Sequence, residues 1–181
     1  AVFAAPILYL TVAARGYKAL ADRNTAQTLS AHWFTLSLLL LLLGPGLLGG
    51  LMATPGVNQW TSGTRLTDLQ TTLTALASAA MIFGVVNQVA AELRGHNWRI
   101  AGLAPFWLVA FGILGVALAL GGAGLVQVYL ERLSGIGYLD TQTALIPLYA
   151  GWVFALLVVA AGIGFYAMAF WMRRPVEMEA Q

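Results

Sequence analysis

The sequence has no cysteine. That excludes disulfides, zinc–thiolate sites and iron–sulfur ligation by this chain, and leaves the redox compartment open. Charge is scarce too: 9% of the 181 residues are Asp, Glu, Lys or Arg, with a formal net charge of +2. A balance so small and so dispersed makes no nucleic-acid surface, so nucleic acid is not expected as a partner. The only histidines are His32 and His96. A haem iron with two axial protein ligands, or copper bound by imidazoles, needs more than these two. Ordinary loop or interface roles account for both, and a metal shared with a partner is the disfavoured alternative. Met52, Met81, Met168, Met172 and Met178 have no spacing that marks a copper or haem site. No metal site is expected.

What the sequence has in abundance is apolar residues, 60% of the total. Four stretches, near 31–53, 67–91, 102–130 and 143–171, each exceed the roughly 20 residues needed to cross about 30 Å of hydrocarbon. The pattern predicts an all-α integral-membrane protein, a single helical domain with four full transmembrane helices. A further stretch, 1–14, is apolar but reaches only some 20 Å at about 1.5 Å per residue. It lacks the basic n-region of a signal peptide. It is read as a partial N-terminal helix, either one whose first half is missing, which is preferred, or a half-span buried against a partner.

Basic residues alternate between the connecting segments. Arg15, Lys18, Arg23, Arg94, Arg99, Arg173 and Arg174 fall on one side, and only Arg65 and Arg132 on the other. The positive-inside rule then puts the C-terminus in the cytoplasm or a mitochondrial matrix and the loops 54–66 and 131–142 outside.

Inside the spans, Gly44-Pro45-Gly46 followed by Gly49 predicts a kink and a close helix contact. Gly121, Gly122 and Gly124 invite the same closeness in a later span. Trp60 fits an interfacial belt. Thr64 or Thr67 is a candidate cap for the helix that follows, with Asp68 in its first turn where the helix dipole favours an anion. Gln70, Thr71, Thr72 and Thr74 lie near the outer end of that helix, and Ser78, Asn87 and Gln88 further along it. Interhelical hydrogen bonding is the preferred account of these groups, and contact with a quinone or other small ligand is the alternative. Gln127 is polar near the outer face, and Glu131 and Arg132 belong at the headgroups. No ionisable side chain falls at mid-bilayer, which argues against a proton path or ion pump; transport is further disfavoured by the lack of an inverted repeat.

Several of these pieces carry a resemblance. Leu43-Gly44-Pro45-Gly46, Pro55-Gly56-Val57-Asn58, Thr61-Ser62-Gly63-Thr64-Arg65-Leu66-Thr67 and Leu93-Arg94-Gly95 resemble, in order and spacing, the late helices of the catalytic subunit of bacterial cytochrome-c-dependent nitric oxide reductase, in the haem-copper oxidase superfamily. Gly124-Leu125-Val126-Gln127-Val128-Tyr129-Leu130-Glu131-Arg132 resembles the next helix of that family, and Phe3-Ala4-Ala5-Pro6 the end of the preceding one. The resemblance covers nearly all of this chain but about the last third of that subunit. It implies a haem-copper-oxidase-like bundle fragment.

In that family two histidines, at i and i+2, follow the threonine-rich loop. Such neighbours point about 200° apart on a helix, each able to serve a haem on its own face. The matching positions here are Gln70 and Thr72, and Ser62 matches a histidine of the loop. An amide and a hydroxyl are not normal haem-iron ligands. The resemblance therefore implies the scaffold without its metal chemistry: no catalytic residue and no cofactor held by this chain, with haem in partner subunits and lipid as an optional contact. The leading expectation is a non-catalytic subunit of a respiratory or redox electron-transfer complex in the bacterial inner membrane. It would pack against other membrane subunits, among them a haem-binding catalytic or cytochrome subunit. One alternative is a quinone- or lipid-contacting module using Gln70, Thr72, Thr74 and Gln127, which a cavity between the 67–91 and 102–130 spans would favour. Another is the split C-terminal part of an enzyme whose haems another chain holds.

Overall fold

The computed structural model describes residues 25–94 and 103–172. The stretch 1–14, residues Arg15, Lys18, Arg23, His96, Arg99, Arg173 and Arg174, and the side chain of Arg94 lie outside that description. Every regular element among the described residues is helical. Helix α1 (Thr25–Leu41) runs through a π-helical stretch, Leu42–Leu48, into α2 (Gly49–Met52). A short α3 (Pro55–Thr61) precedes the long α4 (Arg65–Arg94). Helix α5 (Leu103–Gln127) continues into a second π-helical stretch, Val128–Leu133; α6 (Tyr138–Ala144) and α7 (Ile146–Met172) follow.

Among the described residues, four helical segments are long and apolar enough to cross a membrane: Leu29–Met52, Arg65–Ala90, Leu103–Leu133 and Ile146–Met172. Their mean hydropathies lie between 1.6 and 2.3. Such segments satisfy their backbone groups internally, which is what hydrocarbon demands. Two short helices, α3 and α6, occupy segments that the sequence pattern assigned to loops. Pro55 opens α3 at a first-turn position, where its missing N–H costs nothing. Gly63, at φ +75°, makes the turn into α4, and nothing stands within 4 Å of where a Cβ would be; its backbone conformation, not crowding, requires glycine.

The kink expected at Pro45 takes the form of a π turn. Proline has no N–H, and its ring crowds the carbonyl of the previous turn. Widening the helix relieves that crowding, and the Gly49 N–H reaches back five residues to the Gly44 carbonyl.

In lipid, helices associate through close packing and interhelical hydrogen bonds rather than through the hydrophobic effect. Helices α1 and α4 use both. Ser30 donates to the Gly84 carbonyl at 2.8 Å and Ser37 to the Ala77 carbonyl at 2.7 Å. Seven residues further along, a Cβ on Gly44 would stand 3.0 Å from Leu73 Cβ and 3.4 Å from the Gln70 carbonyl oxygen. Ser30, Ser37 and Gly44 thus run in heptad register down one helix, against Gly84, Ala77 and Gln70 running up the other. Helices α5 and α7 pair where glycines let their backbones come close. A Cβ on Gly112 would meet Val159 Cγ2 at 2.7 Å, one on Gly115 Ala155 Cβ at 2.9 Å, and one on Gly162 Val109 Cγ2 at 2.6 Å. Helix α4 joins α5 where Gly124 lies under Leu66 and Gly121 under Leu69. Gly122 makes ordinary contact with Leu148 of α7, at 3.7 Å.

At the end of the bundle away from α3 and α6, all four spans meet in one aromatic cluster. Trp33 of α1 lies 4.9 Å from Phe83 of α4, 5.1 Å from Phe106 of α5 and 6.1 Å from Tyr166 of α7, ring centre to ring centre. Phe83 and Tyr166 close the circle at 4.8 Å. Most of these contacts are edge-to-face, the arrangement the ring quadrupoles favour.

Candidate functional site

The chemistry-bearing side chains gather at the opposite end, where α3 and α6 lie, and Arg65 is the hub. Its guanidinium pairs with Asp68 one turn on, at 2.6 Å, and donates from Nε to the Tyr149 hydroxyl at 3.0 Å. It also stacks over the Tyr149 ring, 5.1 Å from its centre. Because a guanidinium can only donate, the Tyr149 hydroxyl accepts from it and passes its own proton on to Gln142 Oε1, at 2.6 Å. The direction of that chain fixes the Gln142 amide, leaving its Nε2 as a donor.

The start of α4 is held from another helix. The Arg65 backbone N–H donates to Gln127 Oε1 of α5 at 3.0 Å, and Gln127 Nε2 donates to Glu131 at 3.1 Å. Gln127 is 3% exposed, so it is an internal cap rather than a surface amide. This corrects the expectation that Thr64 or Thr67 caps the helix. Thr64 donates its hydroxyl to the Thr61 carbonyl instead, and the Thr67 N–H bonds to the Thr64 carbonyl.

The four residues singled out as quinone or lipid contacts do not form one group. Gln70 faces α2, with Nε2 2.8 Å from where a Cβ on Gly49 would be, and its carbonyl accepts the Thr74 hydroxyl at 2.8 Å. Thr74 borders the same contact, since a Cβ on Gly44 would stand 3.6 Å from its backbone nitrogen. Thr72 faces the other way and lines a cavity of about 570 Å³. The haem-ligand positions of the resemblance thus point to opposite sides of α4, as two residues 200° apart must. Gln127 borders a second, smaller cavity of about 250 Å³.

The larger cavity is bounded by Arg65, Thr71 and Thr72 of α4, Leu120 of α5, and Tyr149 and Trp152 of α7. The sequence pointed to the gap between the 67–91 and 102–130 spans; the cavity lies instead between α4 and α7, with α5 as its floor. Those two helices meet at Phe83 and Tyr166 at one end, while at the other the long Arg65 side chain reaches across to Tyr149. The smaller cavity shares Arg65 and Asp68 with it and adds Gln127, Tyr138 and Gln142.

Of the other expected polar contacts, Ser78 bonds to the Thr74 carbonyl of its own helix and Asn87 to that of Phe83, so neither bond ties helices together. Gln88 bonds to Glu92 of its own helix and accepts a long 3.4 Å contact from Ser30. The glycine sites divide. Gly44, Gly49 and Gly124 are close approaches, whereas Gly121 and Gly122 make ordinary contacts. Pro45 is exposed, and Gly46 is half-buried. His32 is half-buried, its ring 5.5 Å from Phe106.

Sequence reasoning passed over Ser30 and Ser37, although their seven-residue spacing from each other and from Gly44 was there to be read. It also passed over Tyr149, Trp152 and Gln142, which looked like unremarkable members of an apolar span and its approach. No protein-family model matches the chain.

Proposed function

We propose that the chain is a non-catalytic membrane subunit of a larger redox complex, whose helices anchor and position a haem-bearing partner. One observation carries the reading: three of the buried polar side chains tie neighbouring helices together. Ser30, Ser37 and Gln127, each 3% exposed or less, all bond to the backbone of a neighbouring helix. Gln70, at a position where the resembling family has a haem ligand, is seated against Gly49. Between 22% and 33% of each span is buried within the described bundle, which leaves broad apolar faces for lipid or sibling helices. The resemblance to the late helices of the nitric oxide reductase subunit supports a redox setting, and the distribution of basic residues supports a multi-pass protein of the bacterial inner membrane with a cytoplasmic C-terminus.

The test is purification of the tagged chain from its native membrane in a mild detergent, followed by identification of its companions and an absorption spectrum. The expected result is stoichiometric recovery with a larger membrane subunit and a haem spectrum that leaves with that subunit when it is stripped off. Recovery of the chain alone, or a haem that stays ligated to it after stripping, would overturn the proposal.

A further inference from the structure

The two adjoining cavities at the α3–α6 end differ in character and share a boundary. The larger sets Leu120, Tyr149, Trp152 and Val153 against Thr71 and Thr72, the smaller is lined largely by amides and hydroxyls, and Arg65 and Asp68 belong to both. A molecule that fits such a pair has a polar head and an apolar body. Its charge is set by the boundary residues. The Arg65 guanidinium is matched by the Asp68 carboxylate at 2.6 Å, so an anionic headgroup gains a cation but meets an anion beside it. A neutral head has no such conflict.

Two further atoms define what that head must offer. Trp152 lines the larger cavity and Gln142 the smaller; Trp152 Nε1 and Gln142 Nε2 are both buried without a hydrogen-bond partner. An indole N–H only donates, and the Tyr149 bond has already fixed Gln142 Nε2 as a donor. Buried donors without acceptors are costly, most of all at membrane depth. The complementary ligand therefore brings acceptors. The rings of Tyr149 and Trp152 supply flat walls, and Leu120 and Val153 continue the cavity along the bundle, with Val153 50% exposed on the outer face of α7. About 570 Å³ lies within the range of roughly 300–1,000 Å³ usual for small-molecule sites.

We propose that these cavities form a binding site for a neutral, ring-headed membrane amphiphile of the quinone class. Its carbonyl-bearing ring lies beside Trp152, Tyr149 and Arg65, and its tail leaves past Val153 into lipid. The proposal rests on these side chains and not on the subunit reading above, and can fail or stand without it.

The experiment uses the full chain in phosphatidylcholine nanodiscs, titrated calorimetrically with decylubiquinone, the heat of partition into empty discs being subtracted. Saturable binding of one quinone per chain is expected. Val153→Trp, which fills the mouth of the cavity, should weaken it more than about tenfold, whereas Leu157→Trp, one turn further along α7, should leave it intact. Trp152→Phe keeps an aromatic wall and removes the N–H donor together with the five-membered ring. It should weaken binding at least about fivefold, the loss of one neutral hydrogen bond and some packing, and remains informative if Val153→Trp does not fold. Heats no greater than those of empty discs, affinity unchanged in both Val153→Trp and Trp152→Phe, or equal loss in Leu157→Trp would overturn the site. So would a phospholipid that stays bound through delipidation and is displaced by anionic phosphatidylglycerol but not by the quinone.

Discussion

Gly124 lies so close under α4 that a methyl group there would stand 2.6 Å from Leu66 Cγ and 2.8 Å from the Leu66 backbone nitrogen. The side chain could turn away, but the backbone could not without moving the helix. Gly122, two residues earlier, would meet only the tip of Leu148, at 3.7 Å. Alanine is the better helix former by about 1 kcal/mol, so the two substitutions should differ in sign. Gly124→Ala should destabilise by about 1–3 kcal/mol, the cost of overpacking a tight interface. Gly122→Ala should be neutral or stabilising by up to about 1 kcal/mol. Thermal unfolding in detergent, followed by circular dichroism, measures both. The sequence presented Gly121, Gly122 and Gly124 as one small-residue run. Which of them touches a backbone depends on the rotation of α5 against α4, and composition says nothing about rotation. The glycines that seat α5 on α7, Gly112, Gly115 and Gly162, lie scattered through apolar sequence with no proline beside them, and composition did not single them out.

At the scale of elements, the four spans were legible because each is an apolar run longer than the bilayer needs. The expected starts, 31, 67, 102 and 143, lie within three residues of the observed Leu29, Arg65, Leu103 and Ile146. The π turns were not legible: hydropathy carries no information about whether a backbone N–H reaches four residues back or five. The short α3 and α6 were hidden for a related reason, since a polar segment of seven residues reads as a loop. The cap of α4 was invisible because its acceptor, on Gln127, is 62 residues away in sequence. That cap makes a direct prediction. Gln127→Leu removes the acceptor from the Arg65 N–H and the donor from Glu131 together, and should cost about 1–2 kcal/mol. Glu131→Gln leaves an acceptor for Gln127 and the cap untouched, and should change stability by less than about 0.5 kcal/mol. Chemical unfolding of both variants separates an internal cap from a headgroup contact. If Glu131→Gln costs as much as Gln127→Leu, the Arg65 bond is not the one that matters.

The described bundle is built from two tight helix pairs, α1 with α4 and α5 with α7, joined by the aromatic cluster at one end and, at the other, by Arg65 and the contact of α4 with Gly121, Gly124 and Gln127 of α5. This asymmetry ties the candidate site to topology, because the open end of the bundle is the end where α3 and α6 lie together; Arg132, after the second π stretch begins, reaches the Ser62 carbonyl at 3.5 Å. The absence of cysteine makes the arrangement measurable, since any thiol introduced is the only one present. Asn58 of α3 and Leu139 of α6 are exposed, and Leu93 is 80% exposed at the far end of α4. A membrane-impermeant maleimide added to intact cells should label Asn58→Cys and Leu139→Cys alike, and Leu93→Cys only after the membrane is broken. Two separate arguments are at stake in that result. If Asn58→Cys and Leu139→Cys label from opposite sides, the helix count between them is wrong and the fold fails. If both label only after lysis while Leu93→Cys labels in intact cells, the fold survives and the orientation inferred from the basic residues is reversed. The two cavities would then open towards the cytoplasmic leaflet, and a quinone would enter from that side.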